Sequence, residues 1–182
     1  LIGGATSNDP EAYQNIGIHY GFGSNQQITN NIIDIPGDGV SDPAASDTNW
    51  WLYSSTVGMQ SNTSGGAVYD GLLVDHNTIN ILNAQSTYPE KIRGFWENSH
   101  GHSSNITVSN NTFKNLAPGN NPALNLQQAF RVTSHSSAST TVTYSGNTAE
   151  GANVGFWWLD VSAGLQPVQM TGNLVKNNLI GF

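Results

Sequence analysis

Trp51, Trp96, Arg131 and Trp157 each stand one residue after an aromatic position that recurs along this chain, and His19 holds the same place after an earlier aliphatic one. Indole faces pack against the apolar faces of sugar rings, and a guanidinium beside indoles gains cation–π contact. If the recurring positions face a core, side chains one residue later face outward by strand alternation. His19, Trp51, Trp96, Arg131 and Trp157 would then form a glycan-binding row, an exposed apolar patch of the kind that marks an interface. The opposite parity would bury these residues and expose Phe95, Phe130 and Phe156. A buried, unpaired Arg131 counts against that, while Glu97, two residues after Phe95, counts against the outward row.

Acidic residues gather on the Pro- and Gly-rich stretch that holds Asp34, Asp38, Asp42 and Asp47, and Glu90 begins to echo them further on. The segment Asp38-Gly-Val-Ser-Asp42 lacks the full EF-hand pattern, but Asp38 and Asp42 could supply hard oxygen ligands to Ca²⁺. The plainer expectation is solvated carboxylates opening turns, with no resident cofactor. His100, His102 and His135 follow aromatic strands and could meet at one turn, where hydrogen-bonded turn histidines are the simpler reading. Asn62-Thr-Ser, Asn105-Ile-Thr and Asn110-Asn-Thr are sequons, meaningful only in a eukaryotic secretory setting. No phosphate loop, dinucleotide fingerprint, Cys/His zinc set or nucleophile elbow is present.

These side chains sit on a chain of 182 residues with only 9% charged positions, no cysteine and 5 Trp, 6 Tyr and 6 Phe. So many aromatics with so little charge mark a folded domain, and the length suits one core. A net charge of −7 with five basic residues excludes nucleic acid and an anionic membrane surface as partners. The longest apolar run, Val154 to Leu159, is far too short to cross a bilayer. Asn, Ser, Thr and Gly make up 77 of the 182 residues, a turn-rich chemistry that favours strands over helices.

The chain repeats. Around Asn31, Asn77, Asn111, Asn147 and Asn173, the residues three before are Ile28, Val74, Val108, Tyr144 and Met170. Those two after are Ile33, Ile79, Phe113, Ala149 and Val175. Five before stand Gln26, Leu72, Ile106, Val142 and Val168, so the approach to each Asn has the two-residue period of a strand. The Asn is expected at the bend, where its tolerance of left-handed backbone and its amide both serve. A further column, Ile18, Trp50, Phe95, Phe130, Phe156 and Phe182, opens an aromatic or aliphatic strand in each repeat. Three repeats carry about ten extra residues, at Pro36 to Thr48, Asn83 to Ile92 and Ala117 to Gln128, which read as loops at one corner of a stack.

Repeats of roughly 25 to 46 residues with short strands and no helical periodicity fit stacked parallel coils with an Asn ladder. Segments such as Ser104 to Phe113 and Pro167 to Val175 resemble rungs of the right-handed parallel β-helix of the pectin-lyase-like superfamily, a likeness that runs from about Ile16 onward. The expected fold is therefore all-β, a right-handed parallel β-helix of about five coils with three longer loops at one corner. Residues 1–15 are expected as an incomplete first rung and 16–182 as the repeats, one module of a longer chain.

Many proteins resembling this fold cleave acidic polymers, so the resemblance implies a polysaccharide lyase or glycoside hydrolase as one reading. Its residues would come from Asp38, Asp42, Asp47, Glu90, Arg93 and Arg131. The His100-Gly101-His102 segment is a poor match to the Gly-His-Gly of polygalacturonases, and no adjacent Asp pair occurs. The favoured reading is a structural or adhesive module of a secreted or cell-surface protein that binds a polysaccharide or surface glycan. A third is a filament or lattice subunit that self-associates through open β-helix ends.

Overall fold

The alternation Ile106-Thr107-Val108 and Val142-Thr143-Tyr144 buries every second side chain, and each stretch is a strand. The same rule builds the rest of the computed structural model, which describes residues 14–20, 23–35, 55–61, 69–82, 92–97, 105–125, 127–133, 141–159 and 168–182. The chain lays down β1 (Gln14–Tyr20), β2 (Gly23–Ser24), β3 (Gln27–Thr29) and β4 (Ile32–Ile35). It then repeats the set as β5 (Ser55–Ser61), β6 (Tyr69–Asp70), β7 (Leu73–Asp75) and β8 (Thr78–Ile81). Three strands follow, β9 (Ile92–Glu97), β10 (Ile106–Ser109) and β11 (Thr112–Asn115), and then the single helical turn α1 (Pro122–Asn125). After it come β12 (Gln128–Thr133), β13 (Val142–Ser145), β14 (Thr148–Glu150), β15 (Val154–Leu159), β16 (Val168–Thr171) and β17 (Leu174–Lys176).

Every pairing among the described residues is parallel. The first sheet runs β1-β5-β9-β12-β15, the second β3-β7-β10-β13-β16 and the third β4-β8-β11-β14-β17, with β2 and β6 forming a small fourth. Each long sheet thus takes one strand from each pass of the chain. The protein is all-β, with parallel strands in stacked sheets, an arrangement consistent with a parallel β-helix or solenoid. Among the described residues no helix is long and apolar enough to cross a membrane.

The apolar columns stand in register. Ile28, Val74, Val108, Tyr144 and Met170 pair in sequence across the second sheet. Ile33, Ile79, Phe113, Ala149 and Val175 do the same across the third. The three middle members of each column are almost wholly buried, and the end members pack partly buried against them. The second and third sheets are joined by one short turn, repeated five times. Its first residue has left-handed backbone, at Asn30, His76, Asn110, Gly146 and Gly172. This corrects the expectation for the Asn column, which lies one residue later and does not take the left-handed backbone.

The Asn side chain does four things at once. Asn111 donates its amide to Asn147 Oδ1 at 3.0 Å and to the Val74 carbonyl at 2.9 Å. Its own Oδ1 accepts the Asn77 amide at 2.9 Å and the Asn77 backbone N–H at 3.0 Å. Asn77 and Asn147 repeat the scheme, ending on Asn31 and Asn173, and the three central residues are fully buried. A primary amide has two donors and two acceptor lone pairs, so the three central amides use all four.

The longer connections all leave the third sheet and enter the first. Of the expected loops, Pro36 to Thr48 lies outside the described residues, as does Asn83 to Ile92 up to the start of β9. Ala117 to Gln128 contains α1 and is tied down by polar contacts. Asn115 donates to Asn120 and Gln127, Asn120 to the Gly151 carbonyl, and Asn153 to the Pro122 carbonyl.

Candidate functional site

The first sheet departs from simple alternation, and this sets what it shows to the outside. A Cβ added to Gly94 would meet Phe113 Cδ2 at 2.3 Å and the Ala129 carbonyl at 2.5 Å, so this position faces the core. The next residue faces the core too: Phe95, Phe130 and Phe156 are buried, and the Phe130 ring stands edge-on to Tyr144 at 6.5 Å. Two inward neighbours force the residues on either side outward. Small residues occupy the first of the two places throughout, at Gly17, Gly58, Gly94, Ala129 and Gly155. The Phe rings stack, Phe95 on Phe130 at 4.7 Å, Phe130 on Phe156 at 4.6 Å and Phe156 on Phe182 at 5.1 Å.

The outer face then carries two parallel rows. One is Arg93, Gln128 and Val154, paired in register. All three are buried, and Val154 stands apart from the main apolar cluster. The other is Trp96, Arg131 and Trp157, also in register, and here Trp157 is 41% exposed. The rows meet at one indole. The Arg93 guanidinium carbon lies 4.4 Å from the Trp96 ring centroid and that of Arg131 lies 5.0 Å from it. Burial lowers the Arg131 pKa, yet an arginine so shifted keeps its proton at neutral pH. Trp96 Nε1, Arg131 Nε and Gln128 Oε1 are buried without a hydrogen-bond partner among the described residues. They are two donors and an acceptor buried beneath the outer face of the first sheet.

The second strand of this sheet places Met59 beside Phe95 and Gln60 beside Trp96. The row therefore reads His19, Gln60, Trp96, Arg131 and Trp157 by backbone register, and Trp50 lies outside the described residues. Trp51 lies outside the described residues, as do Asp38, Asp42, Asp47, Glu90, His100, His102 and His135. Arg93, a candidate of the lyase or hydrolase reading, lies in β9 and is 1% exposed. Among the described residues no group of three or more His, Cys, Asp or Glu side chains could hold a metal ion. Comparison with protein families, curated proteins and solved structures finds no match.

A second polar cluster sits at the turn after β7. Asp75 accepts the Ser109 hydroxyl at 2.6 Å and the Asn110 amide at 3.0 Å, and His76 Nδ1 donates to it at 2.5 Å. The Ser109 bond above all, then His76 and Asn110, holds the Asp75 carboxyl below its usual value, against partial burial. A carboxyl lowered on folding stabilises the fold above its unfolded pKa, and that share is lost as pH falls through the lower folded value. Asp75→Asn is therefore expected to flatten the fall in melting temperature below about pH 4, the region of the unfolded carboxyl. A melting-temperature profile against pH checks this, and an unchanged acid limb would rule the contribution out.

Proposed function

We propose that this chain is a right-handed parallel β-helix of about five coils serving as a rigid structural and adhesive module. In this reading it belongs to a secreted or cell-surface protein and holds a glycan across the outer face of its first sheet. One observation carries the reading: Trp96, Arg131 and Trp157 stand in register on three adjacent strands, with the Trp157 indole 41% exposed. Neighbouring strands lie about 4.8 Å apart, so aromatic and guanidinium planes repeat at a spacing close to the width of a sugar ring. A sugar hydroxyl both donates and accepts. It can hydrogen-bond along the rim of this row while the sugar ring lies against the exposed Trp157 indole.

The test is a glycan-array screen of the chain with Ca²⁺ and with EDTA, scored for retention and for new reducing or unsaturated ends. Retention without cleavage is expected, abolished by Trp157→Ala at a stability cost of about 1 kcal/mol or less, since that side chain is 41% exposed. Silence on every glycan, or retention that survives Trp157→Ala, overturns the binding face. Cleavage replaces adhesion by catalysis.

A further inference from the structure

The outer face of the first sheet has two rows, and the protein closes one of them. Arg93, Gln128 and Val154 are buried, whereas in the other row Trp96 and Arg131 are partly exposed and Trp157 is 41% exposed. The two rows stand three residues apart on each strand, so a strand presents one accessible place to a ligand. A ligand laid along a strand would meet a single platform. One laid across the strands would meet a new platform at every strand, about 4.8 Å further on. The open row is therefore a single file that runs along the axis of stacking.

The file is also uniform in kind. By backbone register it reads His19, Gln60, Trp96, Arg131 and Trp157. Imidazole, amide, indole and guanidinium are all planar groups that carry N–H donors, and none is a carboxylate. The outward rows of the second and third sheets are built otherwise. Those of the second carry mostly Thr and Ser beside Asp75, and those of the third carry Thr beside Asp34, Lys114, Glu150 and Lys176.

Charge narrows the ligand further. Two guanidiniums already lie on the Trp96 ring, that of Arg93 at 4.4 Å and that of Arg131 at 5.0 Å from its centroid. Each positive charge thus has the electron-rich face of an indole as a partner. The whole chain carries a net charge of −7, so a polyanion nearing the sheet is repelled by the field of the protein.

We propose that the ligand of this face is a linear, uncharged polysaccharide that lies along the axis of stacking, one sugar ring to each strand. The proposal rests on the glycan-binding reading and adds to it the direction, the charge and the length of the ligand. A terminal sugar would fill one or two places of the file and leave the others to water. An extended chain fills them all. Each of its rings sets an apolar face against a planar group and offers ring and glycosidic oxygens to N–H donors at the edge.

Isothermal titration calorimetry on the full chain tests this with β-1,4-linked glucose, xylose and mannose oligosaccharides from dimer to hexamer, and with oligogalacturonates of the same lengths. At least one neutral series is expected to bind, its hexamer at least about tenfold tighter than its dimer. Raising the salt is expected to change that affinity by less than about twofold, since no opposite charges pair across the contact. Gln60 lies three strands from Trp157, beyond the reach of a dimer held there. Gln60→Ala, checked for folding by circular dichroism, is therefore expected to weaken the hexamer at least about threefold and to leave the dimer unchanged. A dimer as tight as the hexamer would overturn the proposal and leave the binding face standing, with a terminal sugar at Trp157. Preferred binding of oligogalacturonates, weakening with salt, would overturn it by making the ligand an anion. No binding by any series overturns it too, and silence on the glycan array as well removes the binding reading with it.

Discussion

Asn111→Asp is expected to leave the chain without a cooperative melting transition at neutral pH. The side chain is wholly buried and makes four hydrogen bonds, two as donor and two as acceptor. A carboxylate can still accept from Asn77 but donates nothing, so the Val74 carbonyl loses its partner and Asn147 Oδ1 keeps only the Asn111 backbone N–H. Burying the new charge with its second oxygen set against two acceptors, the Val74 carbonyl and Asn147 Oδ1, costs several kcal/mol. A domain of this size is stable by roughly 5–15 kcal/mol, so the single change consumes most or all of it. Circular dichroism melts decide the matter. A variant with the native transition would mean that the amide ladder does not hold the turn between the second and third sheets.

Phe130→Ala is expected to cost about 3–5 kcal/mol in denaturant unfolding. The ring is fully buried and sandwiched between Phe95 and Phe156, with interplanar angles of 5° and 8°. Its removal leaves a cavity between two rings that are fixed on neighbouring strands, so neither can close the gap without breaking parallel pairing. The edge-on contact with Tyr144 goes with it and uncouples the first sheet from the second. A loss under about 1 kcal/mol would mean that the site relaxes and that the column is not a continuous stack.

Most of the architecture was legible because a stacked strand writes its neighbours into the same sequence position. Val74, Val108 and Tyr144 fall three residues before Asn77, Asn111 and Asn147, and each trio pairs as that spacing requires. The second strand of the first sheet was misread because Trp50-Trp51 looked like its counterparts, while the true residues, Met59 and Gln60, are chemically plain. A signal for them does exist. The place before each inward aromatic or aliphatic residue is small, Gly17, Gly58, Gly94, Ala129 and Gly155, since a larger side chain at Gly94 would strike Phe113 and a backbone carbonyl. Trp50 lacks such a neighbour and Met59 has one. The burial of Arg93 was not legible, since a guanidinium in a strand reads as solvent-facing until the indole beneath it is known. The left-handed residue was misplaced by one position because Asn stands at both places in Asn30-Asn31 and Asn110-Asn111, and only the amide bonds distinguish them.

The Asn ladder has uneven steps along the chain, and this bears on the order in which the fold assembles. Its partners are 46, 34, 36 and 26 residues apart from the first step to the last. Every step closes a loop before it gains a bond, and closing the 46-residue loop costs about 0.5 kcal/mol more than closing the 26-residue one. Nucleation therefore favours the Asn147–Asn173 step by about twofold over the Asn31–Asn77 step. The first stable pair then offers an edge on which each earlier strand can settle, so growth runs backward along the chain, from the last repeat toward the first. A chain synthesised from its N-terminus must thus wait for the repeat that holds Asn173 before the cheapest of these nuclei is available.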